Sequence, residues 1–297
     1  EKVHCVYHKM HLPNYGVFDE KRHFTPGDQP LSFLLGETMI RITICEDIWV
    51  EEGWRRQSDP SLHSDVIVNL SASPFHAGKI RQREELLRKR ALAAKTPIIY
   101  VNLAGGQDEL VFDGGSLAFD HQGGLILRAP SFSEELALVD LQFPEPNRRR
   151  AGVSARLSLP LSMHRFPAPV LLAEELSEEK EILEALVTGS RDYIRKNGFQ
   201  KAVIGLSGGV DSALVSAVAV RALGKENVIG VTMPSQYTSA GTYDDAGRLA
   251  RNLDIRFIEL PIQKIFESYI STLADVFHDM TEDVTEENIQ ARIRGAL

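Results

Sequence analysis

Over the first 143 residues, short apolar runs alternate with amphipathic and glycine-rich stretches. Met39 to Cys45 (MIRITIC) switches between apolar and polar positions and closes on an apolar pair, which predicts a strand with one covered face. Asp65 to Leu70 (DVIVNL) is an apolar run of the buried-strand type. Arg81 to Lys95 spaces its apolar residues as a charged amphipathic helix does, and Pro97 to Leu103 (PIIYVNL) returns to strand character. Gly114-Gly115 and Gly123-Gly124 flank Ser116 to Asp120, a pattern that predicts a hairpin. Such alternation predicts a layered α/β domain over residues 1–143.

The texture changes at Pro144. Pro144, Pro146, Pro160, Pro167 and Pro169 accompany the run Arg148 to Arg150, so residues 144–176 read as an interdomain linker with a solvated basic face. Helical spacing resumes at Ile182, Leu183, Leu186, Tyr193 and Ile194, and Asn197-Gly198 supplies the stop. Lys201 to Leu206 (KAVIGL) predicts a parallel-sheet strand. A glycine-rich turn, a helix over Ala213 to Leu223 and a strand over Val228 to Met233 follow. This order predicts a second α/β domain over residues 177–297, part of a doubly wound parallel-sheet nucleotide-binding fold.

Composition narrows the function classes. A chain of 297 residues accommodates two domains, and 43% hydrophobic with 25% charged residues is ordinary for a globular protein. A net charge of -8 argues against nucleic acid as the main partner but not against a nucleotide, which needs only a local pocket. The two cysteines, Cys5 and Cys45, form no CxxC pair, which argues against a disulfide framework or zinc site and fits a cytoplasmic location. No apolar run approaches membrane-spanning length, so no membrane partner is expected. The chain begins at Glu1 without Met and stops at Leu297 within a helical pattern, so truncation at both ends is expected.

The sharpest motif is Ser207-Gly208-Gly209-Val210-Asp211-Ser212, between a strand and a helix. Glycines let backbone N–H groups converge on a phosphate, Ser207 and Ser212 add hydroxyl donors, and the helix beyond supplies free N–H groups. Asp211 suits an anion site only if a cation bridges it to the phosphate, which implies Mg²⁺. The hexapeptide lacks the Walker pattern and closely resembles the SGGxDS signature of the ATP pyrophosphatases. That resemblance implies ATP held along Gly205, Leu206, Ser207, Gly208, Gly209, Val210, Asp211 and Ser212, with Mg²⁺ near Asp211. It also implies cleavage between the α and β phosphates and transfer of AMP to an acyl oxygen.

A second motif, Cys45-Glu46-Asp47-Ile48-Trp49, stands at the end of an apolar strand, where α/β sites lie. Burying Glu46 and Asp47 is costly without donors or a cation nearby. A thiol attacks amides as the thiolate and needs a base and a positive neighbour. Cys45-Glu46 resembles the cysteine motif of the nitrilase superfamily, in which Glu, Lys and Cys form the triad. Lys9 to Glu20 (KMHLPNYGVFDE) resembles the lysine motif found in glutamine-dependent NAD synthetases. The resemblance implies Cys45 as nucleophile, Lys9 as the triad lysine, Glu20 and Glu46 in support, and Tyr15 at the substrate. Asn69 to Lys79 (NLSASPFHAGK) resembles the glutamine-holding segment, with Ser73 and Lys79 carried over. Glu287 to Gly295 (ENIQARIRG) resembles that family's substrate segment, with Asn288 and Arg292 carried over as contacts to nicotinic acid adenine dinucleotide or to the ATP phosphates. The acid-rich stretch Gly105 to Gly114 resembles the same family and is assigned no chemistry.

A thiol amidase beside an ATP pyrophosphatase implies that glutamine yields ammonia, which attacks an adenylated carboxylate. Other synthetases couple these steps with different amidase folds, so the nitrilase-type partner points to the glutamine-dependent NAD synthetase family. The fold implied is a partial nitrilase-like α-β-β-α sandwich joined to a partial doubly wound domain, in a homo-oligomeric cytoplasmic enzyme using glutamine, ATP and nicotinic acid adenine dinucleotide. The family's triad glutamate precedes its lysine motif, and only eight residues precede Lys9, so residues 1–297 alone are expected to be inactive. The alternative is a carbon–nitrogen hydrolase whose second domain only senses a nucleotide.

Overall fold

The computed structural model describes residues 3–57, 64–143, 153–157, 167, 169–238, 240–277, 281 and 283–297. Two compact units divide between Ala185 and Leu186. The first contains α1 (Glu20–His23), β1 (Leu31–Leu35), β2 (Thr38–Ile44), α2 (Glu46–Trp49), α3 (Glu51–Gln57), β3 (Val66–Ser71), α4 (Lys79–Ala94), β4 (Ile98–Asn102), β5 (Ala104–Gln107), β6 (Leu110–Asp113), β7 (Leu117–Phe119), β8 (Leu125–Arg128) and β9 (Ala155–Leu157). The predicted strands and helix of this half are present, with ends within two residues of the pattern-based bounds.

A seven-stranded sheet of order β8-β7-β4-β3-β2-β1-β9 organises this unit. Strands β2, β3 and β4 run parallel, with Ile42 opposite Val68 and Val68 opposite Ile99. Crossover connections are what parallel neighbours require, and α4 supplies the one between β3 and β4. One sheet face packs against the helices through Ile48, Trp54, Ile67, Leu87, Ile98 and Phe119, all nearly inaccessible to solvent. Each such side chain contributes about 1.5–3 kcal/mol of transfer free energy. The C-terminal ends of the parallel trio therefore lie side by side, carrying Cys45, Ser71 to Ser73 and Asn102.

The glycine-bracketed hairpin is the antiparallel pair β7–β8. The preceding stretch, given no role by its acidic composition, is a second hairpin, β5–β6, turning at Asp108 with φ 50°. Part of the predicted linker is built into the sheet, because Ala155–Leu157 pairs in parallel with Phe33–Leu35. Arg148 to Arg150, Pro144, Pro146 and Pro160 lie outside the described residues.

Helix α5 (Glu178–Lys196) ends at Gly198, whose φ of 81° is the left-handed stop that the Asn-Gly pair predicts. The second unit continues with β10 (Ala202–Gly205), α6 (Val210–Leu223), β11 (Val228–Thr232), α7 (Ala240–Asn252), β12 (Arg256–Glu259), α8 (Gln263–Phe277) and α9 (Val284–Ala296). Its three strands form a parallel sheet in the order β10-β11-β12. Helix α6 begins three residues before the Ala213 expected from apolar spacing, since the Ala213 N–H already closes its first turn on the Gly209 carbonyl at 3.2 Å. Ile262 and Phe266 pack on Ile293, fixing α9 against α8. Among the described residues no helix is long and apolar enough to cross a membrane.

Candidate active sites

In the first unit, strand β2 delivers the chain to Cys45 and α2 carries it away. The turn is sharp: Cys45 has φ 43° and ψ −100°, a left-handed-side conformation costing about 1–3 kcal/mol for a non-glycine residue. Its N–H donates to the Leu70 carbonyl at 2.9 Å, so the elbow is anchored on the neighbouring strand. Two buried side chains brace the segment beyond the elbow. Arg90 of α4 donates to the carbonyls of Ile48 and Trp49, at 3.1 and 3.2 Å, capping the short helix. Asp47, completely buried, accepts hydrogen bonds from the segment around Lys9.

Electrostatics at the thiol result from this packing. Burial pushes the Cys45 thiol above its ordinary value, and Lys9 is the strongest influence in the opposite direction. The Ser71 hydroxyl and the Ala72 backbone also favour the thiolate, while Glu46 disfavours it. Lys9 is held by both carboxylate oxygens of Glu20, at 2.7 and 2.8 Å. The Tyr15 hydroxyl donates to Glu46 Oε1 at 2.9 Å, and burial, then this carboxylate, push the phenol up to about 12. Thus Lys9, Glu20, Tyr15, Cys45 and Glu46 form one electrostatic group, as the motif resemblance implies.

Ser73 is buried, and its N–H donates to Asn102 Oδ1 at 3.0 Å. Lys79 donates to the Pro74 carbonyl at 2.7 Å and lies over the Trp49 ring at 5.8 Å. Burial lowers the Lys79 pKa, then Arg83 lowers it further, while Cys45 and Glu46 act the other way. Lys79 therefore belongs to the same electrostatic neighbourhood.

Sequence patterning missed what lies beneath. Arg83 and Asp113 form an ion pair at 2.9 and 3.0 Å with both side chains fully buried. Asn102 Nδ2 donates to Asp113 Oδ1 and the Gly114 carbonyl, while its Oδ1 holds Ser73, and Arg83 stacks over the Tyr100 ring at 5.3 Å. The available signal was that Ile80, Arg83, Leu87 and Arg90 share one face of α4, so two arginines occupy an otherwise apolar stripe.

The second unit holds the serine–glycine loop, largely exposed between β10 and α6. Gly208 takes φ 80°, the conformation that the turn requires of it. Ser212 Oγ donates to the Gly209 carbonyl at 3.0 Å and lies 3.1 Å from Ser207 Oγ, and Gly209 N–H donates to Ser207 Oγ. Helix α6 starts at Val210 with no side-chain cap, leaving its first amides open to a ligand. Asp211 is exposed in that first turn. Beside the loop lies a cleft of about 530 Å³, lined by Gly205, Leu206, Ser207, Met233, Tyr243 and Arg294, among others. Arg294 Nε donates to the Met233 carbonyl at 3.1 Å, and Gln290 accepts from Ser235 Oγ at 2.7 Å. Arg294 presents α9 to this cleft, and Gln290 lines an adjoining one with Ser235, Asp283 and Glu286, whereas Asn288 and Arg292 are exposed and line neither.

Residues 1–149 match the carbon–nitrogen hydrolase family and residues 182–297 match the NAD synthase family. The chain is 46% identical to a glutamine-dependent NAD(+) synthetase of Thermotoga maritima and 43% identical to that of Aquifex aeolicus, in each case over 98% of this chain and 53% of the relative. It spans about half the length of the curated relatives it matches. Among solved structures, the glutamine-dependent NAD+ synthetase of Acinetobacter baumannii in complex with ADP is similar, with TM-score 0.83 and 38% identity. That similarity covers 99% of this chain and 52% of the other.

Proposed function

Because this chain belongs to the carbon–nitrogen hydrolase family and continues into an NAD synthase region, we propose that it is part of a glutamine-dependent NAD⁺ synthetase. One observation carries the reading: a single chain holds a strained, buried cysteine beside a lysine in one unit and an open phosphate-type loop in the other. In the first unit, the Cys45 thiolate attacks the amide carbon of glutamine, and Lys9 stabilises the oxyanion that forms. The C–N bond then breaks, nitrogen leaves as ammonia with one added proton, and water cleaves the thioester to glutamate. Lys79 and Ser73, a cation and a hydroxyl, suit the α-carboxylate of glutamine, and Tyr15 suits a substrate contact.

In the second unit, Ser207, Gly209, Ser212 and the open amides of α6 bind the ATP pyrophosphate. ATP activates the carboxylate of nicotinic acid adenine dinucleotide as its adenylate, and ammonia displaces AMP to give NAD⁺. Asp211 is one exposed carboxylate, and no group of three or more potential ligands exists among the described residues. That donor set fits Mg²⁺ carried mainly by phosphate oxygens and water, with one protein carboxylate. When bound, Mg²⁺ would neutralise charge on the departing pyrophosphate.

The test is NAD⁺ formation and pyrophosphate release by the full-length enzyme, with the deamidated dinucleotide varied. Pyrophosphate release that requires both the dinucleotide and a nitrogen source supports the ligase. Glutamine hydrolysis with no dependence on the dinucleotide, and no pyrophosphate, would favour an amidase with a nucleotide sensor instead.

A further inference from the structure

Asp47 stands two residues beyond the cysteine, on the first turn of α2, and is fully buried. A buried carboxylate requires donors, and Asp47 has four. Oδ1 accepts from the N–H groups of Met10 and His11, at 3.0 and 2.8 Å. Oδ2 accepts from the Tyr7 hydroxyl at 2.7 Å and from the Ile44 N–H at 2.9 Å. Four donors occupy the roughly four lone-pair sites that a carboxylate offers.

The origin of those donors matters more than their number. Tyr7, Met10 and His11 surround Lys9 in sequence, and Ile44 immediately precedes Cys45. One side chain thus joins the two peptide N–H groups that follow the lysine, and the Tyr7 hydroxyl that precedes it, to the strand end entering the thiol. The Lys9 segment is irregular and forms no ladder with the sheet. Its further described ties include Glu20 to the lysine head and Gly27 N–H to the Lys9 carbonyl. We propose that Asp47 is a positioning residue that sets Lys9 against Cys45, an inference that rests on the reading of these two residues as the amidase pair.

In this arrangement Asp47 acts on the pair indirectly, through three backbone N–H groups and the Tyr7 hydroxyl. Replacing one carboxylate oxygen by an amide sets its N–H groups against the Met10 and His11 N–H groups in one orientation, and against the Ile44 N–H in the other, where the Tyr7 hydroxyl can turn to accept. Either way the tie between the lysine segment and the strand end loses an anchor, and Lys9 moves relative to the sulfur. Displacements near 1 Å at such distances from the chemistry cost up to about 100-fold in rate. Because oxyanion stabilisation belongs to the transition state, the loss should fall on kcat and leave KM for glutamine nearly unchanged.

The experiment uses the full-length enzyme with Asp47→Asn and Tyr7→Phe, which removes one of the four donors. Three quantities are measured: kcat and KM for glutamine, the pH profile of Cys45 alkylation by iodoacetamide, and the thermal midpoint. The expected result for Asp47→Asn is a kcat lower by about 10–100-fold with an alkylation profile displaced to higher pH, since Lys9 no longer favours the thiolate. Tyr7→Phe should displace the profile in the same direction by less. A lowered thermal midpoint with an unmoved alkylation profile would overturn the proposal, as would Asp47→Asn turning over glutamine within about twofold of wild type. Should Asp47→Asn not fold, an unmoved profile in Tyr7→Phe is decisive against it. Cys45→Ala serves as the separate check on the underlying reading: glutamine turnover surviving there would remove the nucleophile assignment, while the alkylation comparison would still report the Lys9–Cys45 geometry.

Discussion

Removing the Asp113 carboxylate should destabilise the first unit more than any surface change could. Asp113→Ala leaves the Arg83 guanidinium fully buried with one weak remaining acceptor, the Gly114 carbonyl at 3.4 Å. Breaking a buried pair by deleting one partner costs about 3–5 kcal/mol, because the surviving charge is uncompensated. Asn102 also loses one of its two acceptors, a loss of about 1 kcal/mol that overlaps with the first. For a unit of this size each kcal/mol lowers Tm by about 2–4 °C, so a fall of about 6–20 °C is expected. Trp49 and Trp54 belong to the first unit and pack in its core, so their fluorescence reports its unfolding. The double change Arg83→Met with Asp113→Leu replaces the pair by apolar volume and should recover much of the loss, since neither charge is left behind. A Tm change under about 2 °C for Asp113→Ala would refute the reasoning, as would a double variant worse than the two single ones combined.

Four further outcomes are expected of the full-length enzyme. Cys45→Ala should abolish NAD⁺ synthesis from glutamine while free ammonia still supports it, as read by separate assays with each nitrogen source. Lys9→Met removes the strongest influence favouring the thiolate, so the alkylation profile of Cys45 should move to higher pH; a profile unchanged from wild type would contradict the assigned role. The sign for stability comes from the same group: a thiol raised in the folded state contributes fully below its unfolded value near 9.0, and that contribution is lost as pH rises above it. Wild type should therefore lose more stability than Cys45→Ala between neutral pH and pH above 9, measured by urea titration. Asp211→Ala should eliminate NAD⁺ formation from either nitrogen source, and unchanged turnover at saturating ATP and Mg²⁺ would overturn the cation reading.

The strand periodicities and glycine turns were legible because each reflects local backbone demands. Val66 to Ser71 and Ile98 to Asn102 read as strands from their apolar runs, and Gly208 was recognisable where only a left-handed residue fits. The Cys45 neighbourhood was legible through motif resemblance, which linked Lys9 and Glu20 to the thiol. What remained hidden depends on distant pairing. Arg83 looks like one more charge on an amphipathic helix until Asp113 arrives from a hairpin thirty residues later. The α9 segment is a related case. Spacing alone cannot tell which face of a polar helix meets the cleft, and with Ile293 packed on Ile262 and Phe266 it is Arg294 that lines it.

The edge strand β9 has a consequence for how the polypeptide acquires its shape during synthesis. Phe33 waits for Ala155 before the sheet's outer register is complete, so the first unit has a non-local closure that emerges late from the ribosome. By contrast, β10, β11 and β12 pair in the order in which they are made. Vectorial synthesis thus leaves the Leu31–Leu35 edge without its β9 partner until Ala155 to Leu157 has been made, which is the interval in which a chaperone or a second nascent chain can compete for it.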